Sequence, residues 1–293
     1  MNIHTDCRIA IHAHVFYFEL WKELRSCVKN FIDVYGRDSV VVCVTFPVTK
    51  PDIGVALQED KIVSQLIGVE NYGYDVAPFF KVIDGLNLDD FDYIVKIHTK
   101  RDTPKCWVNF KSFQGVEWRK CLLSFCSSQE AVRRSVNLLR HRRYIGMIAA
   151  RPLIDPSGVG AGRHPEWGAH VVESLGLSIN EKTIVYGTMF MVRAKLLKPA
   201  WRKVLQADFG VMVSGREHEE FGLAGKWEGA FGMLVSSQGF YVSDGAYPEY
   251  IDRLLLFLRK IKFGVFRILS DSIRSFCGGN MFSWLVNVVG RSN

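Results

Sequence analysis

The sequence predicts an α/β protein in which a parallel or mixed sheet is covered by helices. Three apolar runs typical of buried strands, Arg8–His14, Ser39–Thr45 and Phe91–His98, alternate with segments whose apolar residues recur at helical spacing. This alternation is typical of βαβ units, which place parallel strands side by side beneath helices. The 293-residue chain is 48% hydrophobic and 13% aromatic, so it can bury a sizeable core.

The remaining elements follow from local patterns. Glu19–Phe31 carries apolar residues at helical spacing, and we expect further helices at Asp60–Ile67 and Asp75–Ile83. Val69 is expected to open an extended piece, and Thr183–Val192 to form one strand. The other predicted elements are helices at Trp118–Phe125, Gln129–His141, Arg193–Leu205 and Gly225–Gln238, strands at Ile145–Ala149 and Phe240–Val242, and a Gly- and Pro-rich loop at Arg151–Trp167.

Cysteine usage and apolar run lengths indicate the compartment. The seven cysteines are scattered, odd in number and without a Cys-x-x-Cys pair, which disfavours a disulfide framework or a zinc ribbon and fits a reducing cytosol. No signal-peptide pattern precedes the first strand, and no apolar run reaches the ~20 residues of a membrane-spanning helix. We therefore expect the protein to be cytoplasmic.

The positive charge is concentrated at the C-terminus. Residues 251–293 carry +5 of the formal net charge of +7. Because nucleic-acid-binding proteins usually carry basic residues along the working face, this near-neutral body predicts no nucleic-acid partner. Bulky apolar and basic residues interleave over Ile251–Ser275, which is typical of an interfacial helix on an anionic membrane surface. A core-packing helix with solvated Lys and Arg is the alternative.

A first polar segment, Glu70–Phe79, joins an extended piece to the start of a helix. Gly73 permits close approach of the backbone, and Asn71 and Asp75 offer hydrogen bonds near a helix N-terminus. This arrangement favours a polar ligand such as a sugar or a phosphate. The alternative is a turn in which Asp75 is an ordinary N-cap.

A second polar segment, Lys96–Arg101, ends an apolar strand. Ligand crevices of open α/β sheets lie at the carboxyl ends of strands, and His98, Thr99 and Lys100 would suit a diphosphate there. The alternative is a solvated basic loop. Asp90 and Asp92 form an Asp-x-Asp sequence at the other end of this strand, so we expect no metal to bind them.

Other candidates are histidines and acids. His12 and His14 would share one face of the first strand, but no third ligand is evident nearby, so zinc is not expected. His14 can still reach a ligand. The candidate general bases are Asp75, Glu217, Glu219, Glu220 and Glu228. A base must approach a hydroxyl to within ~3 Å, and the alternative for a Glu at a helix start is a favourable interaction with the helix dipole.

Several of these segments match a known family pattern in order. They are R-I-A-I-H-A-H-V-F-Y-F-E-L at 8–20, V-V-C-V-T at 41–45, E-N-Y-G-Y-D-V-A-P-F at 70–79, F-D-Y-I-V-K-I-H-T-K at 91–100 and G-T-M-F-M-V-R at 187–193. On these motifs, the chain resembles the rhamnan synthesis protein F family over about residues 7–245.

The resemblance implies a type A glycosyltransferase-like fold and a glycosyltransferase. Its expected donor is a dTDP- or UDP-sugar, carrying rhamnose or another hexose, and its acceptor is a growing polysaccharide or a lipid-linked glycan. In this fold the strand that ends here at His98 usually ends in Asp-x-Asp, so we expect protein cations to replace a divalent metal, with no cofactor. A non-catalytic nucleotide-sugar- or glycan-binding subunit is the alternative.

The resemblance also assigns roles to residues. It places Asn71, Gly73 and Asp75 at the donor, and Gly187 and Thr188 near the donor sugar and the acceptor. It has His14, Phe16, Tyr17 and Thr45 frame the nucleotide base. Asp75 and Glu228 become the candidate catalytic bases, although the family's last block is expected to contain a Glu-Arg pair where this chain has Glu228-Gly229. The expected organisation is a catalytic domain, 1–250, and a tail, 251–293, peripheral on the inner face of the plasma membrane.

Overall fold

The computed structural model describes residues 7–71, 73–108, 111–155, 165–179, 183–204 and 223–245, together with positions 258 and 261. The chain divides into two compact units, Met1–Ala246 and Tyr247–Asn293. In the second unit, Leu258 and Ile261 are helical and half exposed, and the rest of the predicted tail helix lies outside the described residues. Among the described residues, every helix is too short or too polar to cross a membrane.

The first unit is built on a central mixed sheet flanked by helices. Its strands are β1 (Ile9–His14), β2 (Val40–Pro47), β3 (Gln65–Val69), β4 (Tyr93–His98), β5 (Thr103–Val108), β6 (Lys111–Gly115), β7 (Ile145–Ile148), β8 (Ile154–Asp155), β9 (Ile184–Val185), β10 (Phe190–Arg193) and β11 (Tyr241–Ser243). Its helices are α1 (Trp21–Tyr35), α2 (Pro51–Gln58), α3 (Val76–Asp84), α4 (Val116–Leu122), α5 (Gln129–His141), α6 (Pro165–Ser174), α7 (Lys198–Val204) and α8 (Leu223–Ser236).

Seven strands form the central sheet in the order β11-β7-β10-β4-β1-β2-β3. All neighbours pair in parallel except β10, which is antiparallel to both β4 and β7. The carboxyl ends of β1, β2, β4, β7 and β11 therefore lie at one edge, together with the amino end of β10. This confirms the predicted α/β class and its mixed sheet.

Apolar side chains on both faces of the sheet form the core. The helix α1 buries Trp21, Leu24 and Phe31 at helical spacing, and it ends at Gly36, whose positive φ of 82° a side chain would disfavour. On another side of the core, Phe79 packs edge-on against Phe190 and Phe231, with ring centroids 6.1 and 5.7 Å away. This aromatic cluster fixes α3 and α8 against β10.

Two predicted elements are wrong. The segment Asp60–Ile67 is not a helix: α2 precedes it, and β3 begins at Gln65 and adds to the edge of the sheet beside β2. Val69 ends this strand instead of opening one, because main-chain pairing with β2 outweighs the short helical pattern. Thr183–Val192 is not one strand, since a turn with positive φ at Gly187 and Thr188 separates β9 from β10.

Two further segments were incompletely predicted. The hairpin of β5 and β6 follows the basic segment after β4 and was not expected, since its sequence lacks a strong alternation. The loop expected at Arg151–Trp167 contains a 3₁₀ turn at Arg151–Leu153, the strand β8 and the start of α6; residues 156–164 lie outside the described part of the chain.

Candidate active site

The carboxyl ends of three neighbouring strands carry buried polar side chains in register. His14 of β1 pairs with Thr45 of β2 on one side and with His98 of β4 on the other. The hydroxyl of Thr45 lies 2.9 Å from both His14 Nδ1 and His12 Nε2, so one oxygen links two imidazoles. Interior polar groups of this kind are rare outside functional sites and hydrogen-bonded networks.

Lys96, two residues before His98 on β4, is the centre of a second polar group that lies further from the carboxyl end of the strand. Its fully buried ammonium group forms an ion pair with Asp75 and donates to the carbonyl and hydroxyl oxygens of Thr188, at 3.0 and 3.1 Å. The Thr188 hydroxyl in turn donates to Asp75 Oδ2 at 2.5 Å. Because the ammonium has three N–H donors, its capacity is used within the chain.

This cluster holds two turns in unusual backbone conformations. Thr188 has a φ of 52° and Tyr74 a φ of 50°, a left-handed region that non-glycine residues, and β-branched ones above all, rarely adopt. Such conformations cost about 1–3 kcal/mol and persist where the surroundings impose them. The bonds from Lys96 and Asp75 to Thr188 supply that constraint.

Glycines beside both turns are required by conformation and by space. Gly73 has a φ of 66°, and a Cβ there would lie 2.4 Å from the Ala77 Cβ. Gly187 has a φ of 79°, and a Cβ there would lie 2.4 Å from Leu122 Cδ2. The two predicted glycines therefore let the two turns approach their helices closely.

Glu228, near the start of α8, joins the site through the same turn. Its Oε1 accepts a hydrogen bond of 3.0 Å from the backbone N–H of Gly187, and its charge also favours the protonated form of Lys96. The two predicted acids, Asp75 and Glu228, thus contact consecutive residues of one turn. The other predicted acids, at positions 217, 219 and 220, lie outside the described residues.

Burial and neighbouring charges shift the pKa values of Asp75 and Lys96. Burial opposes the charge of Asp75, but His98, Lys96 and the hydrogen bonds from Lys96 and Thr188 hold its pKa well below its usual range. Burial lowers the pKa of Lys96, while Asp75 and Glu228 oppose that shift. With these partners, Asp75 and Lys96 form a carboxylate–ammonium pair at neutral pH.

Burial favours the neutral form of all three histidines by lowering the pKa of each. Burial lowers the pKa of His14 to about 4, with Lys96 lowering it further and Asp75 opposing. Burial likewise lowers the pKa of His12 and His98 well below the usual value. His98 Nδ1 lies 3.5 Å from Asp75 Oδ2 but makes no hydrogen bond within the described part of the chain, nor does His12 Nδ1. These nitrogens are available to a ligand or to bound water.

The rim of the site combines cations and aromatic rings. Lys50 Nζ lies 3.6 Å from the centre of the Phe16 ring and donates to the Phe16 carbonyl at 3.0 Å. Arg101 Cζ lies 4.4 Å from the centre of the Tyr17 ring. These cation–π contacts position the rings that the family resemblance assigns to the nucleotide base. Lys50 was missed, although it follows the carboxyl end of β2 and the sheet-edge rule could have found it.

Thr99 and Lys100 also make contacts within the chain. The Thr99 hydroxyl accepts hydrogen bonds from the backbone N–H groups of Phe16 and Tyr17, at 2.9 and 3.1 Å, and so ties the β1 loop to β4. Lys100 Nζ lies 5.7 Å from the centre of the Trp118 ring. Asn71 is exposed in the turn before Gly73 and contributes no bond within the described cluster.

The Asp-x-Asp sequence lies away from this site. Asp92 accepts a hydrogen bond of 2.9 Å from the backbone N–H of Arg8, at the opposite edge of the sheet. Asp90 is exposed at the end of a 3₁₀ turn, Leu88–Asp90. Within the described ranges, no group of three or more His, Cys, Asp or Glu side chains is arranged to hold a metal ion.

A mixed sheet with buried polar groups at the carboxyl ends of its strands defines an α/β domain whose candidate ligand site lies at that edge. The rhamnan synthesis protein F model matches residues 1–209, and the chain belongs to this family of polysaccharide synthesis proteins. This confirms the resemblance found in the sequence.

Two individual proteins are also similar. The chain is 23% identical over 189 residues to the uncharacterized protein WxcX of Xanthomonas campestris pv. campestris (strain B100). That match covers 64% of this chain and 26% of WxcX, so the chain spans about a quarter of that relative. A solved structure, 4-diphosphocytidyl-2C-methyl-D-erythritol synthase from Anaerococcus prevotii DSM 20548, is 10% identical with a TM-score of 0.33, covering 70% of this chain and 80% of the other.

Proposed function

We propose that the protein is a glycosyltransferase with a type A glycosyltransferase-like fold. It transfers rhamnose or another hexose from a dTDP- or UDP-sugar to a growing cell-surface polysaccharide or a lipid-linked glycan. The family supports a role in polysaccharide synthesis. The observation that carries the proposal is the convergence of Asp75, Lys96, His98, Thr188 and Glu228 at one edge of the sheet.

The donor diphosphate binds without a divalent metal in this proposal. The strand β4 ends at His98 and is followed by Thr99 and Lys100, where an Asp-x-Asp would hold a metal, and Lys50 and Arg101 add positive charge at the same rim. Fixed cations and neutral imidazole N–H donors stabilise the negative charge that develops on the leaving diphosphate. Phe16 and Tyr17 offer ring faces to the nucleotide base.

The acceptor hydroxyl needs a base, and the geometry favours Glu228 over Asp75. The low pKa of Asp75 makes it a weak proton acceptor, because its carboxylate is already held by the ion pair with Lys96 and by the hydrogen bond from Thr188. Asp75 therefore positions the Thr188 turn, while Glu228 takes the proton as the hydroxyl attacks the anomeric carbon. One such displacement inverts the configuration of that carbon.

A non-catalytic nucleotide-sugar-binding subunit is the second candidate. The observation that favours it is that both acids already bond to the Gly187–Thr188 turn, as purely structural residues would. The two candidates differ in one outcome, since an enzyme slowly hydrolyses its donor without an acceptor and a binding subunit does not.

The tail is proposed to attach the protein to the inner face of the plasma membrane. The charge of residues 251–293 and the exposed Leu258 and Ile261 support an interfacial role. A chain truncated after Tyr250 should remain folded and no longer sediment with vesicles of anionic lipid. An insoluble truncated chain would show that the tail belongs to the core.

Thermal unfolding with dTDP, UDP, GDP and their common sugars, each with manganese and with EDTA, tests the donor site. We expect a rise in Tm with one nucleotide, unchanged by EDTA, because a ligand that binds the native state stabilises it. A rise that requires manganese would contradict metal-independent binding, and no rise with any nucleotide would contradict the proposed function.

A further inference from the structure

A cleft opens at the same edge of the sheet, on the other side of β10 from the proposed donor site. It lies at the carboxyl ends of β7 and β11, where Ala149 and Asp244 line it, and has a volume of about 500 Å³. This volume is within the usual range of small-ligand sites, ~300–1,000 Å³. None of the residues that form the proposed donor site lines it.

The helix α4 lies between the cleft and the Gly187–Thr188 turn and contacts both. Cys121 of α4 lines the cleft, while the next residue, Leu122, lies against Gly187 on another face of the same helix. A ligand in the cleft is therefore separated from the turn between Asp75 and Glu228 by one helix. The rim residue Lys100 also contacts α4, through Trp118.

The charged side chains that line the cleft are mostly cationic. Lys111, Lys120 and Arg134 are exposed, line the cleft and form no ion pair with another described residue. Arg151 also lines it and binds Asp244 through two hydrogen bonds of 2.8 and 2.6 Å, which neutralises that carboxylate. Glu117 is the remaining acid among the lining residues.

The walls are partly apolar. The buried rings of Phe113 and Phe125 and the ring of Pro152 contribute to the lining. Apolar surface suits the C–H groups of a sugar ring, and lysine and arginine side chains suit phosphoryl or carboxylate oxygens. Cations on three separate elements, β6, α4 and α5, converge on one space.

We infer that this cleft binds an anionic sugar unit that carries a phosphoryl or carboxylate group, as part of a glycan. The assignment of that glycan to the acceptor side of the reaction rests on the proposed function. Binding in the cleft does not, because it depends only on the cationic and apolar residues that line the cleft.

The test is calorimetric titration of the full chain at low salt with glucose 6-phosphate, galacturonate trimer, inorganic phosphate and glucose. We expect the two anionic sugars to bind more tightly than phosphate or glucose. Arg134→Gln should weaken the binding about tenfold, the loss expected for one charge-assisted contact. Arg133→Gln is the matched control, since it makes the same change on the same helix at an exposed residue that does not line the cleft.

Three outcomes would overturn the inference. The first is that neither anionic sugar binds, and the second is that phosphate binds as tightly as glucose 6-phosphate. The third is that wild type, Arg134→Gln and Lys120→Gln bind the anionic sugars with equal affinity. Titration of dTDP and UDP into the same variants separates this failure from that of the proposed function. Arg134→Gln leaves nucleotide binding intact, and a chain that binds anionic sugars but no nucleotide contradicts the proposed function alone.

Discussion

Lys96 and Asp75 form an ion pair beneath the carboxyl edge of the sheet, with the lysine side chain fully buried and that of the aspartate 19% exposed. The pair joins β4 to the start of α3, and both members also bind Thr188 in the turn that precedes β10. Three elements that are distant in sequence are thus fixed by a single cluster. The geometry of the proposed site depends on it.

Removal of the ammonium group should destabilise the fold. Lys96→Met leaves the largely buried Asp75 carboxylate without its main counter-charge, and we expect a loss of about 3 kcal/mol, the lower end for a broken buried ion pair. Urea unfolding measures it. The double variant Lys96→Met/Asp75→Leu should recover much of the loss because both charges are absent. A single variant as stable as wild type would contradict the structural role of the pair.

Stability should fall as the pH decreases from about 6.5 toward 4. Burial lowers the pKa of His14 to about 4, whereas in the unfolded chain it is about 6.5. Within this range the unfolded state binds a proton that the folded state does not, so His14 contributes a slope of about 1.4 kcal/mol per pH unit. His14→Gln should reduce the measured slope by that amount, and the exposed His141→Gln should not. Equal slopes in both variants would place His14 in a solvated environment.

The close approach of Gly187 to α4 should make this position intolerant of a side chain. Gly187→Ala introduces a Cβ 2.4 Å from Leu122 and keeps an unfavourable φ. Gly176→Ala is the matched control, because Gly176 has a similar φ of 78° with nothing within 4 Å. We expect both variants to lose about 1 kcal/mol from the backbone, and Gly187→Ala to lose a further 1–3 kcal/mol from overpacking. Equal losses would show that the turn can move away from α4.

Glu228→Gln separates catalysis from structure. Glutamine keeps a side-chain oxygen that can accept the Gly187 N–H bond, so Tm and donor affinity should change little. As glutamine cannot accept the acceptor proton, turnover should fall by roughly 10²–10⁴-fold. Asp75→Asn, by contrast, should lower stability together with activity. Full turnover in Glu228→Gln would exclude Glu228 as the base.

Lys100→Ala should weaken nucleotide diphosphate binding at least about tenfold, because the diphosphate loses a counter-charge. Lys22→Ala, an exposed lysine on α1, is the control. Titrations with dTDP and UDP measure both variants in EDTA. Unchanged affinity in Lys100→Ala would place the donor site elsewhere on the domain.

Strong local patterns made the first half of the sheet predictable. The strands β1, β2 and β4 and the helix α1 appear where the runs of apolar residues indicated, because burial on both faces of a parallel sheet leaves a continuous signature. The edge strand β3 was mistaken for a helix, since one short, half-buried strand carries little periodicity. The turn within Thr183–Val192 was missed because a left-handed threonine at position 188 is imposed by tertiary contacts.

The residues of the candidate site were likewise predicted only in part. His14, His98 and Asp75 were predicted from their place at strand or helix ends and Thr45 from the family resemblance, and the structure brings all four to the same edge of the sheet. The central role of Lys96 was not predicted, because a lysine inside an apolar strand gives no sign of the carboxylate that will neutralise it. Its partners lie 21 residues before it and 92 residues after it.

Release of free nucleoside diphosphate from dTDP- and UDP-sugars, in EDTA and with a polysaccharide acceptor present, tests the central claim most directly. The proposal predicts release from one class of donor, faster with acceptor than without, and its loss in Glu228→Gln while that variant still binds the nucleotide. Tight binding of a nucleotide sugar without any release, in wild type as in the variant, would contradict glycosyl transfer and assign the site to a binding subunit.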